Sequence, residues 1–152
     1  DLNQKKEIIN NAVELAHSLG IEKPKVAVIA AKEKVSPKME ATVHAQELAE
    51  MNKKGEISGC IVDGPFALDN AISKEAAETK GIKSEVAGDA DILLVPYIEA
   101  GNVLYKSLTY FAKAKNAGII LGTKAPIVLT SRADNEESKL YSIVLAVLLS
   151  TK

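Results

Sequence analysis

The sequence predicts a three-layer α/β/α domain with a mostly parallel sheet, and three observations lead to that prediction. Short β-branched segments alternate with longer segments in which apolar residues recur at helical spacing. Glycine or proline lies between most of them. The 152 residues are 47% apolar, which is enough to fill one hydrophobic core. Alternation of this kind is typical of parallel strands covered by helices on both faces, so we expect a single domain over residues 1–152.

The first helix is predicted from a stripe of apolar residues at helical spacing, Ile8, Ala12, Leu15 and Leu19, with Ile9, Val13 and Ala16 beside them. Gly20 would end this helix, because glycine adopts the left-handed conformation that commonly follows a last helical turn. The segment Lys25–Ala31 is β-branched and follows a proline, which predicts the first strand.

The second helix and second strand follow from capping and turn signals. Ser36 and Pro37 offer an N-cap and a first-turn proline for a helix that reaches about Asn52. Cys60–Val62 predicts a buried strand, which the turn signal at residues 63–65 would stop. The following residues, 66–82, favour one or two short helices.

The second half of the chain continues the alternation. Ile92–Val95 predicts a third strand, and a helix closing near Gly118 follows from a stripe of Leu104, Leu108, Phe111 and Ala112. The runs "IILG" and "PIVLT" each predict a short strand. A last helix begins after residue 131, with Ser131 or Asp134 as its cap and Glu137 placed as the second half of a capping box.

Composition excludes several classes of function. A net charge of -1 argues against a broad nucleic-acid surface, which needs a clustered basic excess. The longest apolar run, Ile143–Leu149, is far shorter than the roughly 20 residues that span a bilayer. One cysteine, Cys60, permits no internal disulfide and fits a reducing compartment. We therefore expect a soluble, cytoplasmic protein without a signal peptide, and the isolated His17 and His44 predict no metal site.

Polar residues follow three of the predicted strands, where parallel sheets bind their ligands. They are Asp63, Glu99 to Asn102, and the Thr130-Ser131-Arg132 run. A hydroxyl and a guanidinium at a helix start can bind a tetrahedral anion such as phosphate. The alternative is structural: Ser131 and Asp134 as a cap and its partner, and Asp63 as part of a turn. Lys106 can equally be a solvated helix lysine.

Three segments, read together, resemble one enzyme family. They are "DGPFALDNAIS", "AGDADILLVPYIEAGNVLYKS" and "KAPIVLTSRAD". They resemble the phosphate acetyltransferase and phosphate butyryltransferase family, closest to the butyryl branch. The resemblance covers essentially the whole chain and implies the C-terminal half of a two-domain protein with a fold similar to isocitrate and isopropylmalate dehydrogenases. It also implies a cytoplasmic homodimer that transfers a short-chain acyl group between acyl-CoA and inorganic phosphate.

The resemblance also implies roles for particular residues. Ser131 and Arg132 would contact the phosphate or the acyl-phosphate oxygens. Asn102 and Lys106 would line the same cleft. Together with Asp63, Glu99 and Gly101 at the strand ends, they are the candidate substrate-binding residues. Coenzyme A, acyl-CoA, phosphate and acyl phosphate would be substrates or products, with no tightly bound cofactor, no metal and no nucleic acid or membrane partner.

The general base is less directly implied. The aspartate that follows the serine by seven residues in the acetyl branch falls here on Ser138. Asp134, Glu136 and Glu137 are the available carboxylates, and we select Asp134 as the candidate base. A phosphate acetyltransferase is the alternative within the enzyme class. A non-catalytic ligand-binding or dimerisation domain is the alternative of another class, since fold does not fix function.

Overall fold

A computed structural model describes residues 1–150, and the chain divides into two compact units, Asp1–Ile98 and Glu99–Lys152. The expectation of one domain over the whole chain stays a prediction. The helices are α1 (Leu2–Ser18), α2 (Glu40–Lys53), α3 (Leu68–Ile72), α4 (Lys74–Thr79), α5 (Ile98–Tyr110) and α6 (Glu136–Ser150). The strands are β1 (Lys25–Ile29), β2 (Ile61–Phe66), β3 (Ile92–Leu94), β4 (Ile119–Ile120) and β5 (Ile127–Val128).

The sheet of the first unit is parallel throughout, as predicted. Its strand order is β2-β1-β3, with Val26 opposite Val62 on one side and Ile92 on the other. Because the strands are parallel, their carboxyl ends share one edge. The α/β class and the parallel sheet are therefore confirmed, while the likeness to the dehydrogenase fold stays a prediction.

Helices and loops cover both faces of this sheet. Alternate side chains of β1 point to opposite faces, so Val26 and Val28 belong to one core and Ala27 to another. The first core includes α1 and α2 through Ile9 and Leu48. The second core packs Ala27 against Phe66, Ala71 and Val86. This gives the first unit its layered arrangement.

Helix α1 was predicted, and only part of its predicted apolar stripe is buried. The buried side of α1 is Ile9, Val13 and Ala16, whereas Ile8 and Leu19 of the predicted stripe are both 52% exposed. Neighbouring apolar residues define two overlapping stripes here, and packing on α2 and β3 selects one of them.

The second helix begins later than predicted. It starts at Glu40, and its N-cap, Met39, makes no side-chain capping bond. Ser36 lies in the preceding loop, where its backbone N–H donates to the Thr42 hydroxyl at 2.9 Å. Ser36 and Pro37 therefore belong to a loop tied to the first turn of α2.

The predicted turn at Asp63-Gly64-Pro65 was also wrong, because β2 continues through it to Phe66. Proline has no N–H to donate, so it is tolerated in an edge strand, and β2 is at the edge of the sheet. The pairing register shifts between Ala27 and Ile29, opposite this segment. The turn residues are accommodated as an irregular strand.

The second unit contains an antiparallel pair, β4 and β5, with α5 and α6. Helix α5 ends at Tyr110, earlier than predicted, and Phe111 is 88% exposed. The predicted cap of α6 was wrong. The cap is Asn135, whose Oδ1 accepts from the Ser138 N–H at 2.8 Å. Glu137 does not complete a capping box, because its carboxylate accepts hydrogen bonds from Lys115 and Tyr141.

Helix α6 buries its polar side. Ser138 and Ser142 are 6% and 0% exposed, and the Ser142 hydroxyl accepts from the Gly118 N–H and donates to the Ser138 carbonyl. In contrast, Leu140, Ile143 and Val147 are each more than half exposed. Within residues 1–150, every helix is too short or too polar to cross a membrane.

A charged network fastens the loop after β1 to α3 and α4. Lys80 Nζ donates to Glu33 Oε1 at 2.9 Å and pairs with Asp69 Oδ2 at 3.0 Å, and the fully buried Asn70 also donates to Glu33. Hydrogen bonding from Lys80, then from backbone and Asn70, lowers the pKa of Glu33 from 4.5 to about 2.

Replacing Glu33 with glutamine is expected to destabilise the protein at pH 7 and to matter less in acid. Because the pKa of Glu33 is lower in the folded protein than in the unfolded one, its ionised carboxylate stabilises the fold at any pH above the unfolded-state pKa. This stabilisation is lost as pH falls from 4.5 towards about 2. The pair is partly exposed, so the loss at pH 7 should be only about 1 kcal/mol. Thermal unfolding of wild type, E33Q and the exposed control E22Q between pH 2 and 7 measures this. A wild-type advantage over E33Q that grows in acid would contradict it.

Candidate active site

The candidate anion site is a tight turn formed by residues 131–134. The Asp134 N–H donates to the Ser131 carbonyl at 3.0 Å, and the Ser131 N–H donates back to Asp134 Oδ2 at 2.7 Å. Serine and aspartate favour such turns because their side chains bond to nearby backbone groups. Arg132 lies exposed at the tip, and its guanidinium has no hydrogen-bond or ion-pair partner within residues 1–150.

Helix α5 carries a row of polar groups, one of which contacts this turn. Glu99, Asn102 and Lys106 are three and four residues apart, so they share one face of the helix. At the end of that row, Lys106 Nζ donates to Ser131 Oγ at 3.3 Å. Gly101, which is neighbour to Asn102, also lies within the helix and not in a separate turn.

Aromatic rings hold the Lys106 amine in place. It lies 4.7 Å from the centre of the Tyr105 ring and 5.9 Å from that of Tyr110. Cations are attracted to the faces of aromatic rings. Together with the bond to Ser131, these contacts make Lys106 an oriented cation, in contrast to a freely solvated helix lysine.

Asp134 is engaged through both carboxylate oxygens. Tyr105 Oη donates to Oδ1 at 2.6 Å while the Ser131 N–H occupies Oδ2. The hydrogen bond from Tyr105 is the main cause that lowers the pKa of Asp134, and burial opposes it only in part. A carboxylate stabilised in this way is a weak proton acceptor.

The other candidate carboxylates lie at the start of α6. Lys115 donates to Glu137 at 2.8 Å, and this bond lowers the pKa of Glu137. Glu136 is exposed in the same first turn. Ser138 is buried, with its N–H bonded to Asn135, so its position holds no acid or base in this chain.

A cavity of about 310 Å³ opens beside the turn. Its lining mixes polar and apolar surface and includes Asp134, Ser138, Tyr110, Lys113 and Lys115. Lys113 holds a left-handed backbone conformation with φ of 54°, which is uncommon for a residue other than glycine. The volume falls at the lower end of the range for small-molecule sites.

Asp63 lies in the first unit, on β2. Its Oδ2 accepts from Ser84 Oγ at 2.5 Å, and its Oδ1 accepts from the Gly64 N–H at 2.9 Å. These bonds give Asp63 a clear structural role within the unit. Its convergence with the residues of the turn on one crevice stays a prediction.

The structure brings together four of the predicted residues, Ser131, Arg132, Asp134 and Lys106, and adds Tyr105, which the sequence did not single out. The only signal for Tyr105 was its place directly before Lys106 on the polar part of α5. Residues 1–150 contain no group of three histidine, cysteine, aspartate or glutamate side chains that could hold a metal ion.

Comparison with known proteins identifies relatives over the whole chain. Residues 1–147 match the family model described as "Phosphate acetyl/butaryl transferase". The chain is 62% identical over 149 residues to the "Probable phosphate butyryltransferase" of Bacillus subtilis strain 168, covering 98% of this chain and 50% of that protein. It is 58% identical to the "Phosphate acetyltransferase" of Thermotoga maritima, covering 98% of this chain and 51% of the relative.

A solved structure also resembles this chain. The crystal structure of a branched-chain phosphotransacylase from Enterococcus faecalis V583 superimposes with a TM-score of 0.88 at 44% identity, covering 98% of this chain and 53% of that one. The chain thus spans about half the length of the relatives that it matches. The prediction that this half is the C-terminal one finds no support in these matches. On the match over residues 1–147, the chain belongs to the phosphate acetyl/butyryl transferase family.

Proposed function

We propose that the protein carrying this chain transfers a short-chain acyl group between acyl-CoA and inorganic phosphate, as a phosphate butyryltransferase. The observation that carries the proposal is the turn at residues 131–134. There Arg132, which has no partner within residues 1–150, adjoins a hydroxyl and an oriented lysine, Ser131 and Lys106. A guanidinium, an ammonium and a hydroxyl are suited to the oxygens of a phosphate. Two relatives that are named phosphate butyryltransferase or probable phosphate butyryltransferase support butyryl-CoA and phosphate as the substrates.

The proposed reaction is direct transfer between two bound substrates. A phosphate oxygen forms a bond to the thioester carbonyl, the carbon–sulfur bond breaks, and the electron pair leaves with the sulfur of coenzyme A. Arg132 and Lys106 would offset the charge of the phosphate and of the developing oxyanion. Holding both substrates in reacting geometry would supply much of the rate, with Ser131, Asn102, Glu99 and Gly101 lining the site.

Asp134 is better suited to hold the turn than to remove a proton. Both of its oxygens accept hydrogen bonds, and its pKa is held below the usual range. In the direction that forms acyl-CoA, the thiol must lose a proton, and the base for that step has to be a group other than a carboxylate so engaged.

Phosphate-dependent release of thiol from acyl-CoA tests the proposed function. The intact protein should release free thiol from butyryl-CoA only when phosphate is present, with a higher kcat/KM than for acetyl-CoA. A fitting methylene contributes roughly 1–3 kcal/mol, so two should favour butyryl-CoA at least about tenfold. A preference for acetyl-CoA would indicate a phosphate acetyltransferase, the activity named for the Thermotoga maritima relative. No release with either substrate would favour a non-catalytic ligand-binding domain.

We further propose a homodimer in the cytoplasm. The exposed apolar side chains of α6, among them Leu140 and Ile143, support a contact surface in the assembled protein. The lone cysteine, Cys60, is buried and free, which fits a reducing compartment. Light scattering of the intact protein would measure the assembly, and a monomer mass would contradict the dimer.

A further inference from the structure

Two consecutive residues of α5 reach the two ends of the candidate anion turn. Lys106 contacts Ser131 at one end, and Tyr105 Oη donates to Asp134 at the other, at 2.6 Å. The carboxylate that Tyr105 holds is the one that accepts the Ser131 N–H. A continuous set of hydrogen bonds therefore runs from the tyrosine hydroxyl, through Asp134, to the backbone of the residue next to Arg132.

We propose that Tyr105 is a positioning residue that fixes the Asp134 carboxylate and thereby presents Ser131 and Arg132 to phosphate. The inference rests on the proposed function, because it assigns Tyr105 a task within that same site. An aspartate in a turn can rotate its carboxylate and exchange the bond to its own backbone for one to water. The bond from Tyr105 to Oδ1 keeps Oδ2 directed at the Ser131 N–H.

The contacts of Tyr105 favour positioning over proton transfer. Its single hydroxyl proton is donated to Asp134, and the same hydrogen bond is the main cause that raises the pKa of Tyr105. The Thr109 hydroxyl donates to the Tyr105 carbonyl at 2.8 Å, which adds a local bond to this turn of α5. The ring also contributes to orienting Lys106, at 4.7 Å.

The first test is Tyr105→Phe in the intact protein, with Tyr141→Phe as the matched control. Tyr141 Oη donates to a carboxylate, Glu137, at the same 2.6 Å. Phenylalanine keeps the ring over Lys106 and removes only the hydroxyl. We expect Y105F to raise KM for phosphate about tenfold, the worth of one charge-assisted hydrogen bond, with a smaller change in KM for acyl-CoA. Y141F should leave both unchanged, and an equal effect of the two variants would overturn the proposal.

A double variant separates positioning from direct contact with substrate. If Tyr105 acts through Asp134, the double variant Y105F/D134A should be no slower than D134A alone, because the second change removes a bond that no longer exists. A further tenfold loss in the double variant would mean that Tyr105 acts on the substrate independently, and the positioning role would be wrong.

Amide signals in NMR spectra provide a readout that does not depend on turnover. The Ser131 N–H signal should shift in Y105F and stay in place in Y141F. Only Y105F frees the Asp134 carboxylate, which accepts the Ser131 N–H, to rotate. Titration with inorganic phosphate should then show weaker binding to Y105F than to wild type. If wild type releases no thiol, the proposed function fails, and this titration still decides the role of Tyr105. Equal phosphate affinities would overturn it.

Discussion

Replacing Arg132 with alanine is expected to lower kcat/KM for phosphate by about 10²–10³-fold, the usual loss when one oriented donor to a developing charge is removed. Arg132 is the sole arginine among the 152 residues and lies at the exposed tip of the 131–134 turn. A guanidinium can bond to two phosphate oxygens at once, and the neighbouring Lys106 supplies only a point charge. No other group in the turn can replace that contact.

The same change should leave the free energy of unfolding almost unaltered. The guanidinium has no hydrogen-bond or ion-pair partner within residues 1–150, so its removal leaves no described group unpaired. Arg132→Lys should be intermediate, because it keeps the charge and loses the forked donor. Lys124→Ala removes an exposed cation elsewhere and serves as the control. Turnover of R132A within threefold of wild type, with an unchanged unfolding midpoint, would refute the phosphate role.

The strands of the first unit could be predicted because their signals are local. Lys25–Ile29 and Ile92–Leu94 are short apolar segments bounded by proline, glycine or charge. The stripe of α1 was predicted with its buried residues in it, but Ile8 and Ile9 are equally apolar, and only packing on other elements decides which of the two is buried. The predicted stop at Pro65 failed for a similar reason. A proline ends a central strand but not an edge strand, and strand order is not legible from one sequence.

The roles of the candidate site residues stay predictions, and the contacts among them were only partly foreseen. The family resemblance implied that Ser131 and Lys106 lie in one cleft, and the two side chains are in contact. The cap of α6 could not be predicted, because Ser131, Asp134 and Asn135 can all cap a helix. The structure uses Asn135. Tyr105 was missed because its partner is 29 residues away, at a separation that no local pattern encodes.

The open edge of β2 is also held by the side chain of Asn52, near the end of α2. Its Nδ2 donates to the carbonyls of Ile57 and Cys60, at 3.0 and 3.1 Å, and its Oδ1 accepts from the Val62 N–H at 3.0 Å. Adjacent to this, the Ile61 N–H bonds to the carbonyl of Pro24, so the Val62 N–H points away from β1. Asn52 therefore satisfies backbone groups that the sheet itself cannot.

Replacing Asn52 with leucine is expected to lower the free energy of unfolding by about 3 kcal/mol, since three hydrogen bonds worth about 1 kcal/mol each are lost. Leucine has a similar volume, so the effect should come from unpaired backbone groups of Ile57, Cys60 and Val62, all of which are buried residues. Urea unfolding of the intact protein measures the change, with Asn3→Leu on the exposed side of α1 as the control. A loss below about 1 kcal/mol would mean that water replaces these bonds at the edge of β2, and that the strand is held chiefly by its pairing with β1.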